Sequence, residues 1–164
     1  MGQFQSGPAT DFTRVEQQIE INRARTPVHR ALPAEFLLNL LLGNQMAGIM
    51  LSGAGPANLI LDNSIVSNGR FGITNGGTNG TFIEGNRVSY NGGPWGSTPY
   101  GSTLLGKGRG ISVSTSDGVV VFDNRVRGNS EVDIFWDSAG SNKFDSNACD
   151  SSAPAGACGP STQK

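Results

Sequence analysis

The chain has 164 residues, of which 24 are glycine and 15% are charged, and its formal net charge is −1. This length suits one domain, and the glycine content favours a turn-dense, all-β chain over a helical bundle or a disordered segment. The near-neutral charge gives no general attraction for nucleic acid or anionic membranes. No apolar run of about eighteen residues predicts a membrane-spanning helix.

Residues 1–34 lack the repeat that the later residues carry. Asp11 is placed to cap a helix, one face of which would carry Phe12, Val15 and Ile19. Such a helix would cover the open end of the domain, and the alternative is a poorly ordered leader. No signal peptide is visible, because the first twenty residues have neither a basic start nor an apolar stretch.

Residues 35–150 repeat a pattern in which apolar residues alternate with asparagines. The copies are Phe36-Asn39-Leu41-Asn44, Ile60-Asn63-Ile65-Asn68, Ile83-Asn86-Val88-Asn91, Val121-Asn124-Val126-Asn129 and the partial Phe144-Asn147-Cys149. The leading asparagines are 24, 23, 38 and 23 residues apart, so the long step is one period plus an insertion of 15 residues. A fixed period predicts a solenoid, in which each repeat buries its apolar side chains against its neighbours.

A second landmark keeps the same period. The pairs Gly48-Ile49, Gly72-Ile73 and Gly110-Ile111 follow the second asparagine of their copies, and Asp133-Ile134 takes this place in the fourth copy. Alternation over a few residues, interrupted by Gly and Asn, indicates short strands separated by turns.

The Gly-Ile pairs and the Ile-x-x-Asn-x-Ile-x-x-Asn runs resemble the right-handed parallel β-helix repeat family. That family includes pectate-lyase-like and polygalacturonase-like enzymes, alginate epimerases, adhesins and NosD-type periplasmic proteins. The resemblance covers about residue 36 to the C-terminus. It implies an all-β, single-stranded right-handed parallel β-helix of about 4–5 coils, with a possible N-terminal capping helix. It implies little about activity, because one fold hosts many functions.

Stacked coils predict inward columns of apolar side chains and ladders of asparagines. The expected columns are Ile49, Ile73, Ile111 and Ile134; Ile60, Ile83, Val121 and Phe144; and Ile65, Val88, Val126 and Cys149. The asparagines are expected to bond one another along the axis and to adopt the left-handed backbone of tight corners. Trp136 falls in the column of Val113 and is expected in the core or at its end.

The insertion loop, residues 92–108, is the main departure from the repeat, and it carries Trp95, Tyr100 and Lys107. Loops mounted on a rigid scaffold often carry function. The neighbouring residues expected to point outward are Arg109, Ser112, Asp133, Phe135 and Asp137. Aromatic rings above a strip with both charge signs favour binding of a sugar chain, and the alternative is a loop whose rings pack on the coil wall.

Two outward arginines, Arg87 and Arg125, follow matching asparagines on consecutive coils. Stacked in this way they could contact an acidic polymer. Glu84 and Asp123 lie nearby in the sequence and could offset them instead.

Asp133 and Asp137 are the carboxylates considered for catalysis, because alternate positions on a strand share a face. Glycoside hydrolysis needs two carboxylates about 5–10 Å apart. The catalytic motifs of polygalacturonases, pectate lyases and alginate epimerases are absent from the sequence. We therefore expect a scaffold or polysaccharide-binding module with no cofactor and no metal site. The alternatives are a lyase, hydrolase or epimerase fragment, and an adhesin-like solenoid that self-associates end to end.

Residues 151–164 form a tail rich in small and turn-forming residues. Cys158 lies in this tail and Cys149 lies just before it. Two thiols without a nearby His do not complete a zinc site. A disulfide is therefore expected between them. It favours an extracellular or periplasmic location.

Overall fold

The structure, a computed structural model, describes residues 33–93 and 108–159. Their regular elements are fifteen short β-strands, which form five coils of three strands each. The first two coils contain β1 (Glu35–Leu37), β2 (Leu40–Leu42), β3 (Ala47–Ser52), β4 (Leu59–Leu61), β5 (Ser64–Val66) and β6 (Phe71–Gly76). The third and fourth contain β7 (Phe82–Glu84), β8 (Arg87–Ser89), β9 (Arg109–Ser114), β10 (Val120–Phe122), β11 (Arg125–Arg127) and β12 (Val132–Trp136). The fifth contains β13 (Lys143–Asp145), β14 (Ala148–Cys149) and β15 (Ser152–Ala153).

Corresponding strands of successive coils pair in parallel and form three sheets of five strands. The first sheet has the order β1-β4-β7-β10-β13, the second β2-β5-β8-β11-β14, and the third β3-β6-β9-β12-β15. Phe36 pairs with Ile60 and Ile49 with Ile73, so the sequence period is also the strand register. The predicted right-handed parallel β-helix is confirmed.

The core contains the three predicted apolar columns together with further buried residues such as Leu51, Val113 and Val119. The members of the columns in the second, third and fourth coils are completely buried, for example Ile60, Val88 and Ile111. At the C-terminal end, Trp136 stacks on Phe144 with 4.6 Å between the ring centroids, and both side chains are half-buried. Trp136 therefore covers the end of the core, as predicted.

Two asparagine ladders run along the interior, as predicted. In the first ladder, Asn63 donates its Nδ2 to Oδ1 of Asn86 at 3.0 Å, and Asn86 repeats this bond to Asn124 at 3.0 Å. The predicted left-handed backbone of these asparagines is wrong. The residue before each of them has the positive φ instead, for example Asp62 at 55° and Asp123 at 49°. The asparagines are required for their amide hydrogen bonds, since the corner itself is made by the residue before them.

The tail closes the C-terminal end of the solenoid, and the predicted disulfide between Cys149 and Cys158 is present, with 5.3 Å between the Cα atoms. The last ladder residue, Asn147, donates its Nδ2 to the carbonyl of Ala157 at 3.3 Å and accepts at its own carbonyl from the N–H of Gly159 at 2.8 Å. Ala157 is buried by this fold-back.

The first coil differs from the others in its outward side chains, which are apolar. Those exposed to solvent are Leu37, Leu38, Leu40, Leu42, Met46 and Met50. At the same register positions, the third coil carries Glu84, Arg87, Ser89 and Ser112. The predicted N-terminal cap falls on residues 1–34, of which the structure describes 33 and 34, so it stays a prediction.

Candidate functional site

The insertion leaves the solenoid through a closed stem made by Gly92, Gly108 and Ser130. The Ser130 hydroxyl donates to the carbonyl of Gly92 at 2.8 Å and accepts from the N–H of Gly108 at 2.7 Å. A Cβ on either glycine would collide with the other glycine's backbone. Ser130 of the next coil therefore holds the two ends of the insertion together. The register of the strands is the same before and after the insertion. Trp95, Tyr100 and Lys107 lie outside the described residues.

The outer surface of the third sheet begins directly after this stem. Arg109, the first residue of β9, places its guanidinium carbon 3.6 Å from the centroid of the Phe135 ring. Its Nε and Nη2 donate to the two carboxylate oxygens of Glu131 at 3.2 and 3.3 Å. A bidentate carboxylate fixes the plane of a guanidinium, and the ring supports it from one side. Arg109 is therefore held in one orientation while its side chain stays about a quarter exposed.

Phe71, Thr74 and Asp137 extend this surface, which we call the third-sheet face and define by these residues with Arg109, Glu131 and Phe135. Phe71 pairs with Arg109, and Arg70 lies over the Phe71 ring at 4.9 Å. Ser112 occupies the register between Thr74 and Phe135, but it is 3% exposed. Ser112 therefore lies at an outward position of the sheet, as predicted, but its side chain is not accessible to solvent.

Asp137 lies at the end of β12 and is exposed. Its Oδ2 accepts from the N–H of Thr115 at 2.6 Å, and its Oδ1 accepts from the N–H of Ala139 at 3.0 Å. One oxygen thus bonds the turn after β9 and the other bonds the turn after β12. Both keep outward lone pairs for solvent or a ligand.

The expected outward position of Asp133 is wrong, because its side chain is 2% exposed. Its Oδ1 accepts from the N–H and Nδ2 of Asn129 at 3.2 and 2.9 Å. Its Oδ2 accepts from the N–H groups of Asp150 and Ser151 at 3.0 and 3.2 Å. In the earlier coils, the acceptor for the same two groups of a ladder asparagine is Oδ1 of the next asparagine. Asp133 therefore takes the place of the ladder asparagine that the fifth coil lacks, and it also bonds the backbone at the start of the tail.

The glycine column explains why an aspartate is accepted at this one position. A Cβ at Gly110 would lie 2.6 Å from Nδ2 of Asn129 in the next coil, and Gly72 has the same conflict with Asn91. Above Asp133 there is no ladder asparagine, so the carboxylate fills that space. The sequence contained this signal, since Asp133 stands where the other copies have glycine.

The structure does not combine Asp133 and Asp137 into a catalytic pair. One carboxylate is inside the solenoid with both oxygens bonded, and the other is outside. In the described ranges, no three residues among His, Cys, Asp and Glu are grouped so that they could hold a metal ion. Within the same ranges, no helix has the length and apolarity needed to cross a membrane.

Comparison with known families and proteins agrees with this architecture. The family described as "Right handed beta helix region" matches residues 34–158, which include all five coils and the disulfide. Searches of curated proteins and of solved structures give no significant match. The stacked parallel coils and the family match together establish that the chain belongs to the right-handed β-helix family.

Proposed function

We propose that the protein is a carbohydrate-binding β-helix and that the polysaccharide lies on the third-sheet face. The observation that carries this proposal is the arginine of that face, Arg109, which Phe135 and Glu131 hold in one orientation. A preordered guanidinium loses little conformational entropy when it bonds a ligand hydroxyl or carboxylate.

The surroundings of Arg109 suit a sugar chain. Aromatic edges and faces of Phe71 and Phe135 offer apolar contact to the C–H side of a sugar ring, and Asp137 and Thr74 offer hydrogen bonds to hydroxyls. Trp95, Tyr100 and Lys107 belong to the proposal as residues of the insertion whose stem adjoins this face. The disulfide supports an extracellular or periplasmic location, where such polymers occur.

An enzyme of the lyase, hydrolase or epimerase type remains the alternative from the sequence, but its carboxylate pair is lost with the burial of Asp133. We therefore propose binding and not bond cleavage as the function of the chain.

A second candidate function, end-to-end self-association, is favoured by the first coil. Its strands form one edge of each sheet, and Leu38, Leu40 and Leu42 are 80%, 69% and 61% exposed. The opposite end is closed by the disulfide tail, so two copies would meet through their first coils. The capping helix that the sequence predicts in residues 1–34 would cover the same surface. Sedimentation equilibrium decides this point, since a dimer lost in Leu40→Ser/Leu42→Ser supports association and a monomer at all concentrations contradicts it.

The test of carbohydrate binding is affinity electrophoresis in gels that contain one neutral or one uronate polysaccharide at a time. We expect Phe135→Ala and Arg109→Ala to weaken the retardation that the wild type shows. Phe122→Ala is the matched control, because Phe122 is an exposed aromatic residue on the first sheet. Equal retardation of all variants, or no retardation of the wild type by any polymer, would contradict the proposal. Circular dichroism checks that each variant is folded.

A further inference from the structure

The outer surface of the second sheet carries a cluster of arginines. Arg87 of β8 and Arg125 of β11 are direct neighbours in the parallel register, and Arg127 lies two residues further along the same side of β11, opposite Ser89. All three arginines are exposed. We call this surface the arginine face and define it by Arg87, Arg125 and Arg127.

No carboxylate of the described residues forms an ion pair with the arginine face. Within residues 33–93 and 108–159, the arginine that forms an ion pair is Arg109, and its partner Glu131 directly precedes β12. The nearby acids Glu84 and Asp123 make no ion pair with Arg87, Arg125 or Arg127 in these ranges.

Like charges directly opposite each other on adjacent strands destabilise a sheet. The backbones of Arg87 and Arg125 are about 4.8 Å apart, the spacing of paired strands, and the register forbids them to separate. A surface that keeps such a repulsion gains free energy when an anion enters between the guanidinium groups, because each planar fork can bond a carboxylate in a bidentate manner.

We propose that the arginine face is a second binding site, separate from the third-sheet face, and that its ligand is an acidic polysaccharide. Tyr90 completes the site. Tyr90 follows β8 and is 67% exposed. Its ring lies over Gly128, the residue directly after Arg127. A Cβ at Gly128 would lie 3.0 Å from the ring, and the φ of 66° at Gly128 also favours glycine there. A sugar ring that stacks on Tyr90 would place its carboxylate within the reach of Arg127.

The dimensions of the face favour a glycan over a nucleic acid. The three arginines occupy two coils, one in the third and two in the fourth. Nucleic-acid binding proteins commonly neutralise about 6–10 phosphates, for which this face is too small. A polymer with one carboxylate per sugar matches two or three separate cations.

The experiment is affinity electrophoresis of the full chain in polygalacturonate, in its fully methyl-esterified form, and with a single-stranded oligonucleotide. Arg87→Gln/Arg125→Gln is the test variant, and Lys143→Gln is the control, since it removes an exposed cation from the first sheet, outside both proposed sites. We expect the wild type to bind polygalacturonate and not its methyl ester, more weakly at 0.5 M salt because exposed ion pairs are screened. We expect the test variant to lose about tenfold in apparent affinity.

Four results would overturn the inference. They are unchanged binding in Arg87→Gln/Arg125→Gln, equal binding of the methyl ester, tighter binding of the oligonucleotide than of polygalacturonate, and an equal loss of binding in Lys143→Gln, which would make net charge alone responsible. Loss in the test variant with normal neutral-polymer binding would support two independent sites. The two proposals can therefore fail separately.

Discussion

Replacement of Asp133 by asparagine tests whether this carboxylate terminates the second ladder. Asparagine has the same shape and keeps Oδ1, so the bonds to the N–H and Nδ2 of Asn129 are retained. Its amide NH₂ would take the place of Oδ2, which accepts from the N–H groups of Asp150 and Ser151. These two N–H groups, whose bonds to Oδ2 are partly buried, would then face a third donor.

The expected cost follows from these two bonds. A buried donor that loses its acceptor costs about 1–3 kcal/mol. The Ser151 hydroxyl can rotate to accept from the new NH₂ group, which recovers part of this loss. We therefore expect Asp133→Asn to lower the free energy of unfolding by about 2–4 kcal/mol, a large share of the 5–15 kcal/mol typical of a domain.

Urea unfolding followed by far-UV circular dichroism measures this difference. Asp137→Asn is the control, because Asp137 also accepts two backbone N–H groups but is exposed, so water can replace it. We expect this control to cost less than about 1 kcal/mol. If Asp133→Asn were no less stable than Asp137→Asn, the role of Asp133 as the last rung would be refuted.

Three further predictions concern the same framework. Gly72→Ala should destabilise by about 1–3 kcal/mol in urea unfolding, because its Cβ would enter the space of the Val88 side chain, whereas Gly76→Ala, with its nearest atom at 3.8 Å, should change stability little. Asn86→Ala should lower the free energy of unfolding by about 3–5 kcal/mol, since it leaves ladder groups on both sides unpaired. A decrease in melting temperature smaller than that of Gly76→Ala would contradict this. Cys158→Ser should lower the stability by about 2–3 kcal/mol, and reductant should lower the wild type equally but leave the variant unchanged.

The spacing of residues was sufficient to predict the solenoid, because in stacked coils a residue contacts its equivalents one period away. The columns of Ile60 and Ile49, the asparagine ladders and the position of Trp136 all follow from one number, the period. The insertion did not hide the repeat, since its two ends meet at Gly92 and Gly108.

What the sequence could not provide was the direction of side chains at corners and ends. Simple alternation put Asp133 outside, but the chain turns inward there, and the space above it is free only because the next rung is missing. The contacts of Phe135 and Glu131 with Arg109 join residues of two different coils. A pattern of neighbouring residues in the sequence could not predict them.

The period by itself thus determined the fold, the core and the ladders of this protein, because the stacking of identical coils is a one-dimensional problem. The tertiary structure alone decided which charged groups are buried, paired or exposed. Those outcomes depend on the coil above and on the tail that closes the end. That is why Asp133 became a structural acceptor, while Arg87 and Arg125 emerged as exposed neighbours without a partner among the described carboxylates.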